Sequence, residues 1–592
     1  MKRKFLIFIF FITSVISFGQ RNNDYILAEG YYRNGSYQKA EKLYQKLLSK
    51  SPYNTTYLAR LSHCYQQQQK FEEAEKLLSI KLKNKPNISV INVFLGYNYE
   101  AQRNMPDATK YYDKAIASIT KKSNYGSIIA TQFRKLNKLD YAIKAYEKIM
   151  ETKNNSNFGT QIAQIYGEKG DFEAMFNQFV EVLDNDETRL QNIKRSAATY
   201  VNDDSENENN ILLKKALLRK SASKPKNVWN NMLSWLFTKQ RQYGKAFIQE
   251  KALFARNSDD ISGIGKLGDV AFDNKDYETA RSCFDFIIEN SDFEEDKFNA
   301  IYMNLLIAIE TKEENIDDKF QKVFETNGIN KNTLSIQLAY AKYLTFQENN
   351  PEKAYSVLEN ALQFANNNFL RSRVKLRMGE VLVYQEKFNK ALINFSQVQT
   401  KLKNHAIGQE ARYKVAQTSY FKNDFKWAKA QLKVLKGSTT QLIANDAAQL
   451  FLTISDNEPQ DSIPTGLSKY AKADLLHLQN KKEEAITVLD EIITEYAGQS
   501  IEDEALYRQA QIYAEEGNFT KAIENYDKII AIDSQGIFVD DVYYNLAEIY
   551  KDNLEDNQKA SEYYQKIIFD FPSSIYLVDA RKKYRKLRGD TI

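Results

Sequence analysis

Cysteine, histidine and proline are scarce: two, three and eight in 592 residues. Cys64 and Cys283 are far apart in the chain, and a bridge needs Cα atoms within about 7 Å. No disulfide framework is expected, and both read as small packing residues. His63, His405 and His477 are widely separated. None belongs to HExxH or to a Cys/His pair at ligand spacing, so the common zinc patterns are excluded. There is no Walker loop and no GxSxG elbow. Carboxylates are plentiful, yet no pair stands out as an acid–base couple. With only 21 glycines beside the eight prolines, long disordered tracts are excluded as well.

Long apolar runs are missing apart from Phe5 to Ile16, which is short for a bilayer span. Lys2, Arg3 and Lys4 precede it, and Ser17-Phe18-Gly19 follow before Gln20. That is the order of a secretory signal peptide. Residues 1–19 are therefore expected to be removed, leaving an exported, periplasmic chain that begins at Gln20. No cysteine follows the cut to carry a lipid, and no integral membrane segment is expected in the mature chain.

Charge of one sign is also lacking overall, since the formal net charge is +5. That excludes the strong basic field of a nucleic-acid binder. Locally the balance shifts. Residues 21–150 carry 22 basic and 11 acidic side chains, and residues 501–580 carry 6 basic and 17 acidic ones. The two ends should prefer different partners, unless these are simply solvated helix faces.

What is present in quantity is aromatic residues, 38 tyrosines and 34 phenylalanines. They recur in register with small residues. Ala40, Ala74, Ala108 and Ala142 are each 34 apart, and Met175 follows. Four residues after each come Tyr44, Leu78, Tyr112, Tyr146 and Phe179, the large groups that fill the space left by the small one. Nine residues before come Tyr31, Tyr65, Tyr99, Phe133 and Tyr166. A core explains this stripe without a cofactor.

A 34-residue unit of two helices with this pattern resembles the tetratricopeptide repeat. The resemblance implies an all-α solenoid of antiparallel helix pairs, a right-handed superhelix of roughly 12–14 pairs in two or three segments. Its first segment is residues 20–330, with degenerate repeats near 192–226 and 297–330. There Tyr200 to Asn210 reads as a loop or a frayed turn. In a middle segment, 331–455, the period lengthens to thirty-seven, from Ala354 to Ala391 to Ala428. Residues 456–466, with Pro459 and Pro464, read as a linker. A third segment, 467–592, holds Ala485, Ala522 and Ala560 and a basic capping helix.

The last quarter carries DEALYRQAQIYAEEGNFTKAIENYDKII and FDFPSSIYLVDAR. It resembles the repeats of the outer-membrane-protein assembly lipoprotein and the Tol–Pal coordinator, although it lacks their lipidation cysteine and coiled-coil start. The triplets Asp461-Ser462-Ile463 and Asp590-Thr591-Ile592 resemble the O-glycosylation signal of exported proteins in Bacteroidota-like bacteria.

In this family the first helices line a concave groove through positions five, nine, twelve and thirteen of each unit. In the first repeat those positions hold Tyr25, Glu29, Tyr32 and Arg33, and in the second His63, Gln66 and Gln67. The next two add Val93, Tyr97, Glu100, Thr131, Arg134 and Lys135. Such side chains suit an extended peptide, offering flat apolar area with hydrogen-bond donors. The Lys/Asn clamp that some relatives use for a C-terminal carboxylate is not reproduced. On the terminal helix Arg581, Lys582, Arg585 and Lys586 form a second candidate contact, for an acidic partner or lipid, or else a solubilising cap. Gly263-Ile264-Gly265-Lys266-Leu267-Gly268 fits GxGxxG but lies between helices, so no dinucleotide fold is expected.

These features predict a non-enzymatic scaffold of the cell envelope that binds protein partners through its groove and C-terminal repeats, with no cofactor, metal or nucleic acid. An adaptor of a secretion or motility machine is the nearest alternative. A cell-wall or glycan-active enzyme is the other, and it would need a convergent acid–base pocket.

Overall fold

Every described element is a helix, and consecutive helices pack as antiparallel pairs. The computed structural model describes residues 23–590 except 123, 153–156, 258–259, 436–440 and 459–464. The expected signal peptide, most of the 456–466 segment and the Asp461-Ser462-Ile463 triplet lie outside the described residues, as do Thr591 and Ile592. The chain divides into two compact units, residues 1–283 and 284–592.

In the first unit the expected register holds. Ala40, Ala74, Ala108, Ala142 and Met175 are all fully buried, and Tyr44, Leu78, Tyr112, Tyr146 and Phe179 are buried four residues on. Small meets large because one helix of each pair must come close to the other. Gly96 shows how close: a Cβ there would stand 2.4 Å from the Tyr112 ring. The turn between paired helices has its own signature. Five residues before each small residue the backbone is left-handed, at Gly35, Gln69, Arg103, Asn137 and Gly170. Asn104 and Asp171 then follow as N-caps, accepting from Asp107 N and Ala174 N. A left-handed residue ends one helix and the Asx side chain starts the next.

The degenerate stretch is folded rather than frayed. A short helix, Leu190–Ala197, leads into a loop and then Glu208–Ser223. Asn210 is fully buried and its Nδ2 donates to Asn202 O at 3.0 Å, which pins the loop. Beside it Asp184 collects Lys220, Lys224 and Lys226 at 3.1, 2.9 and 2.9 Å. Hydrogen bonds from Lys226 and Lys224 hold its carboxyl well below the usual carboxylate range. Helix Ser262–Asp273 carries the GxGxxG pattern, and the element before it is a helix, Tyr243–Phe254.

The second unit repeats the same frame. Ala354, Ala391, Ala428, Ala485, Ala522 and Ala560 are fully buried, with Leu358, Phe395, Leu432, Leu489, Tyr526 and Tyr564 buried four residues later. The left-handed turn recurs at Asn349, Glu386, Asn423, Asn480, Gly517 and Glu555. The longer period goes into the first helices. Those of the first unit run 13, 11, 10 and 10 residues at Thr55–Gln67, Ile91–Ala101, Gly126–Lys135 and Gly159–Glu168. Asn368–Tyr384, Ala406–Phe421 and Ile501–Glu515 run 17, 16 and 15. Most second helices have 14 residues in both units, as in Phe71–Asn84 and Phe519–Ile532. A single extra residue between Ala547 and Ala560 is taken up where Ile549–Asn553 winds as a π-helix.

The 456–466 segment lies inside the second unit. One core cluster has members from Leu382 to Ile512, on both sides of it. Tyr384 and Gln479 exchange hydrogen bonds, Tyr384 OH to Gln479 O at 3.2 Å and Gln479 Nε2 to Tyr384 O at 2.8 Å. The break in repeat spacing is therefore bridged by buried contacts.

Candidate protein-binding site

The groove positions of the N-terminal repeats are mostly engaged with one another. Glu29 is buried. It accepts from Tyr44 OH at 2.5 Å and from Arg60 Nε and Nη2 at 2.8 and 3.1 Å. Burial pulls its carboxyl up, but the bonds from Tyr44 and Arg60 outweigh that and hold it below the ordinary value. Arg60 also stacks over the Tyr32 ring at 4.2 Å, and Tyr32 OH lies 2.9 Å from His63 Nδ1. Burial and then Arg60 lower the His63 pKa, so its imidazole is neutral at neutral pH. Tyr25 rests against Tyr57, with ring centroids 5.7 Å apart.

Glu100 accepts from Tyr112 OH at 2.8 Å and pairs with Lys138 in the next repeat. Arg134 reaches across to Glu168, with Nε 3.0 Å from Oε1. Gln66 is buried and donates to Asn98 Oδ1 at 3.2 Å, and Val93 is fully buried. Expected as partner contacts, Glu29, Gln66 and Val93 thus serve as the seam between repeats. Tyr97 and Thr131 are half-buried, while Arg33, Gln67 and Lys135 stay exposed. The structure brings the first seven of these residues together, but few present free donors. Arg581, Lys582, Arg585 and Lys586 are all exposed on the last described helix.

A ring-lined concavity lies in the second unit. A cavity of about 310 Å³ is walled by Tyr413, Tyr420, Phe421, Tyr470, Tyr507 and Phe538. On its polar side lie Gln417, Asp446, Asp474, His477 and Arg508. Helices Ala406–Phe421, Leu467–Leu478 and Ile501–Glu515 carry most of these residues, and Gln441–Asp456 adds Asp446. Arg508 Nε sits 2.8 Å from Asp474 Oδ1, and Tyr420 OH donates to Asp474 Oδ2 at 3.0 Å. Asp474 in turn raises the Arg508 pKa, fixing the guanidinium as a cation. Its Nη1 donates to Gln511 at 2.9 Å. The Tyr507 ring stacks on Phe538 with centroids 5.1 Å apart. Burial pushes the Tyr507 phenol up to about 12, so it remains a neutral donor. The cavity thus offers flat rings, neutral hydroxyls, one compensated ion pair and the exposed carboxylate of Asp446, which suits a side chain of a bound polypeptide.

Sequence reasoning missed this cavity although the register reaches it. Counted back from Ala428, Ala485 and Ala522, position five is Tyr413, Tyr470 and Tyr507. Position nine is Gln417, Asp474 and Gln511, and position twelve in the first two is Tyr420 and His477. These are the same positions that selected Tyr25, Glu29 and Tyr32 in the first repeat.

Among the described residues no group of three His, Cys, Asp or Glu is placed to hold a metal. No helix among them is long and apolar enough to cross a membrane. Cys64 and Cys283 are buried, and burial pushes both thiols up to about 12.

Residues 31–90 match a family model described as tetratricopeptide repeat, and residues 503–535 and 540–568 match a second with the same description. These stretches are tetratricopeptide repeats. No curated protein matches the chain. Among solved structures, the chain is similar to Naa15/Naa10 bound to HypK-THB, at 12% identity over 96% of each chain with a TM-score of 0.29. It is also similar to yeast Tom70, at 16% identity over 95% of this chain and 99% of that one, with a TM-score of 0.26. A third is the APC/C hetero-tetramer Cut9–Hcn1, at 11% identity over 95% and 96%, with a TM-score of 0.22. The second pair of tetratricopeptide matches begins at residue 503, so the repeat holding Tyr507 and Arg508 at the cavity is itself a recognised one.

Proposed function

We propose that this chain is a non-enzymatic, protein-binding scaffold of the bacterial cell envelope, and that its principal docking site is the aromatic cavity between residues 413 and 538. One observation carries the reading. Three successive repeats place their groove positions around a single open concavity. The charged pair within it, Arg508 and Asp474, is already compensated. A ligand can therefore enter on rings and hydroxyls without breaking that pair. Catalysis gains no support, because Asp474 is committed to Arg508 and Tyr420 and His477 to Glu515 at 3.0 Å. The envelope setting rests on the export-type N-terminus and on the envelope-like repeats of the last quarter.

Photocrosslinking in cells tests the docking site. A photoreactive residue at Gln417, in the cavity, should give discrete protein adducts. The same residue at Lys433, exposed on helix Phe425–Leu435, should not. Equal adducts from both positions would contradict the assignment. Export is tested separately: mass spectrometry should find Gln20 at the mature N-terminus, and an intact Met1 chain recovered from the cytoplasm would overturn it.

A further inference from the structure

The three most exposed large apolar side chains among the described residues stand at one corner: Ile575 and Val578, each 79% exposed, and Phe569, 68% exposed. They flank the turn into the last described helix, Leu577–Leu587. Neighbours hold that corner in place. Tyr576 stacks on Tyr544 with centroids 4.2 Å apart and donates its hydroxyl to Asp541 at 2.7 Å. Asp579 accepts from Tyr544 OH at 2.7 Å and pairs with Lys583 at 2.9 Å. Lys583 pairs with Glu548 at 2.8 Å, and Ala580 is fully buried. With those residues turned inward, helical spacing leaves Val578, Arg581, Lys582 and Arg585 on the outer face, with Lys586 beside them. All five are exposed. Asp590 lies beside Arg588 at 2.5 Å and Arg585 at 3.7 Å, and Asp570 is exposed next to Phe569.

We propose that this corner and outer helix face dock the protein onto an anionic lipid surface. A row of cations beside a few protruding Ile, Val and Phe side chains is the chemistry of interfacial binding: the cations meet headgroups and the apolar tips enter the acyl boundary. A helix of 11 residues spans only about 16 Å. At a width of about 10 Å that face covers roughly 160 Å², a small fraction of the ~800 Å² per partner of a standard protein interface, whereas a membrane imposes no such minimum. An acidic protein would use the cations but would leave Ile575 and Val578 in water. Residues 501–580 are strongly acidic, so an anionic bilayer should attract this face and repel the acidic repeats beside it, which orients this end of the chain.

Sedimentation of the full chain with vesicles tests this. Vesicles of phosphatidylcholine alone are compared with vesicles holding about one-third phosphatidylserine, at low salt and near 0.15 M. Wild type should bind the anionic vesicles only, and more weakly as salt rises. Reversing Arg581, Lys582, Arg585 and Lys586 to Glu should weaken binding by roughly 100-fold or more. Ile575→Asp with Val578→Asp should weaken it by roughly tenfold while leaving the thermal melt unchanged, since both side chains are exposed. A wild type that ignores anionic vesicles overturns the proposal, as does a charge-reversed variant that binds them equally. Binding to soluble polyglutamate as strong as to vesicles, and indifferent to the Asp pair, would assign the face to an acidic protein instead.

Discussion

The repeats of residues 23–168 and those of residues 406–538 place the same repeat positions on the same side of their first helices, yet surround them differently. In the first region position nine is Glu29, and Arg60 and Tyr44 close over it. In the second it is Asp474, which Arg508 and Tyr420 meet at the edge of a cavity. First-unit helices of 10–13 residues are bridged from repeat to repeat by Glu29–Arg60, Glu100–Lys138 and Arg134–Glu168. In the second, helices of 16, 12 and 15 residues with tyrosine at position five leave room between their faces. The position-nine carboxylate thus pairs with the arginine of the next repeat in both regions, Glu29–Arg60 and Asp474–Arg508, and what distinguishes the second is the ring-lined space beside that pair.

The shared frame gives the largest expected effect. Ala108→Arg and Ala485→Arg should each cost about 4 kcal/mol, because both alanines are fully buried against large residues and an unpaired charge would enter that contact. Denaturant unfolding checks this, and an unaffected midpoint for either variant would show that the two regions do not share a register.

Two buried carboxylates separate the regions by the sign of their pH dependence. Burial raises the Glu504 carboxyl to about 7, and Asn457 Nδ2 donates to it at 2.8 Å. The folded state holds that proton longer than the unfolded chain, so its contribution to stability declines as pH rises from about 4.5 to about 7. Glu504→Gln should flatten that decline, worth up to about 3 kcal/mol. Glu29 has the opposite sign. Its folded pKa is depressed, so its contribution is present above the unfolded value and is lost as pH falls through the folded one. Glu29→Gln should therefore destabilise at pH 7 and matter little near pH 3. Urea melts across pH check both, and matching slopes would erase the distinction.

Asp474→Ala strips the partner from Arg508 at the cavity and should cost about 2 kcal/mol. Asp474→Leu with Arg508→Met should restore most of it, since an apolar pair replaces the charges. Chemical denaturation of the two variants decides this. The smallest effect lies in the turns. Gln69 and Arg103 sit at positive φ where Gly35 and Gly170 occupy the equivalent place. Gln69→Gly and Arg103→Gly should each raise stability by roughly 0.5–1 kcal/mol by removing the left-handed penalty. A loss in either would mean that the side chain matters more than the backbone.

The small–large column was legible because Ala40 to Ala142 recur every 34 residues, and each helix pair needs that contact wherever it occurs. The turns were partly legible at Gly35 and Gly170 and hidden at Gln69 and Arg103, where a side chain that disfavours positive φ is tolerated. Glu29 was expected to meet a partner, and the ion pair that occupies it was hidden because it comes from Arg60, thirty-one residues away. The cavity was within reach of the same position rule at Tyr413, Tyr470 and Tyr507. Whether such residues enclose space depends on how their helices pack against one another, which no single repeat records. Pro459 and Pro464 mark an interruption in the repeats, but nothing local in them reports the Tyr384–Gln479 bonds that bridge it.

The most direct test compares the two grooves against one captured partner. Affinity of the partner obtained through Gln417 is measured by titration for wild type, for Tyr413→Ala with Gln417→Ala, and for Tyr25→Ala with Gln67→Ala. The cavity pair should lose roughly 100-fold, as anchor residues at a binding hot spot do, and the N-terminal pair less than about threefold. A loss confined to the N-terminal pair would contradict the placement of the docking site in the second unit.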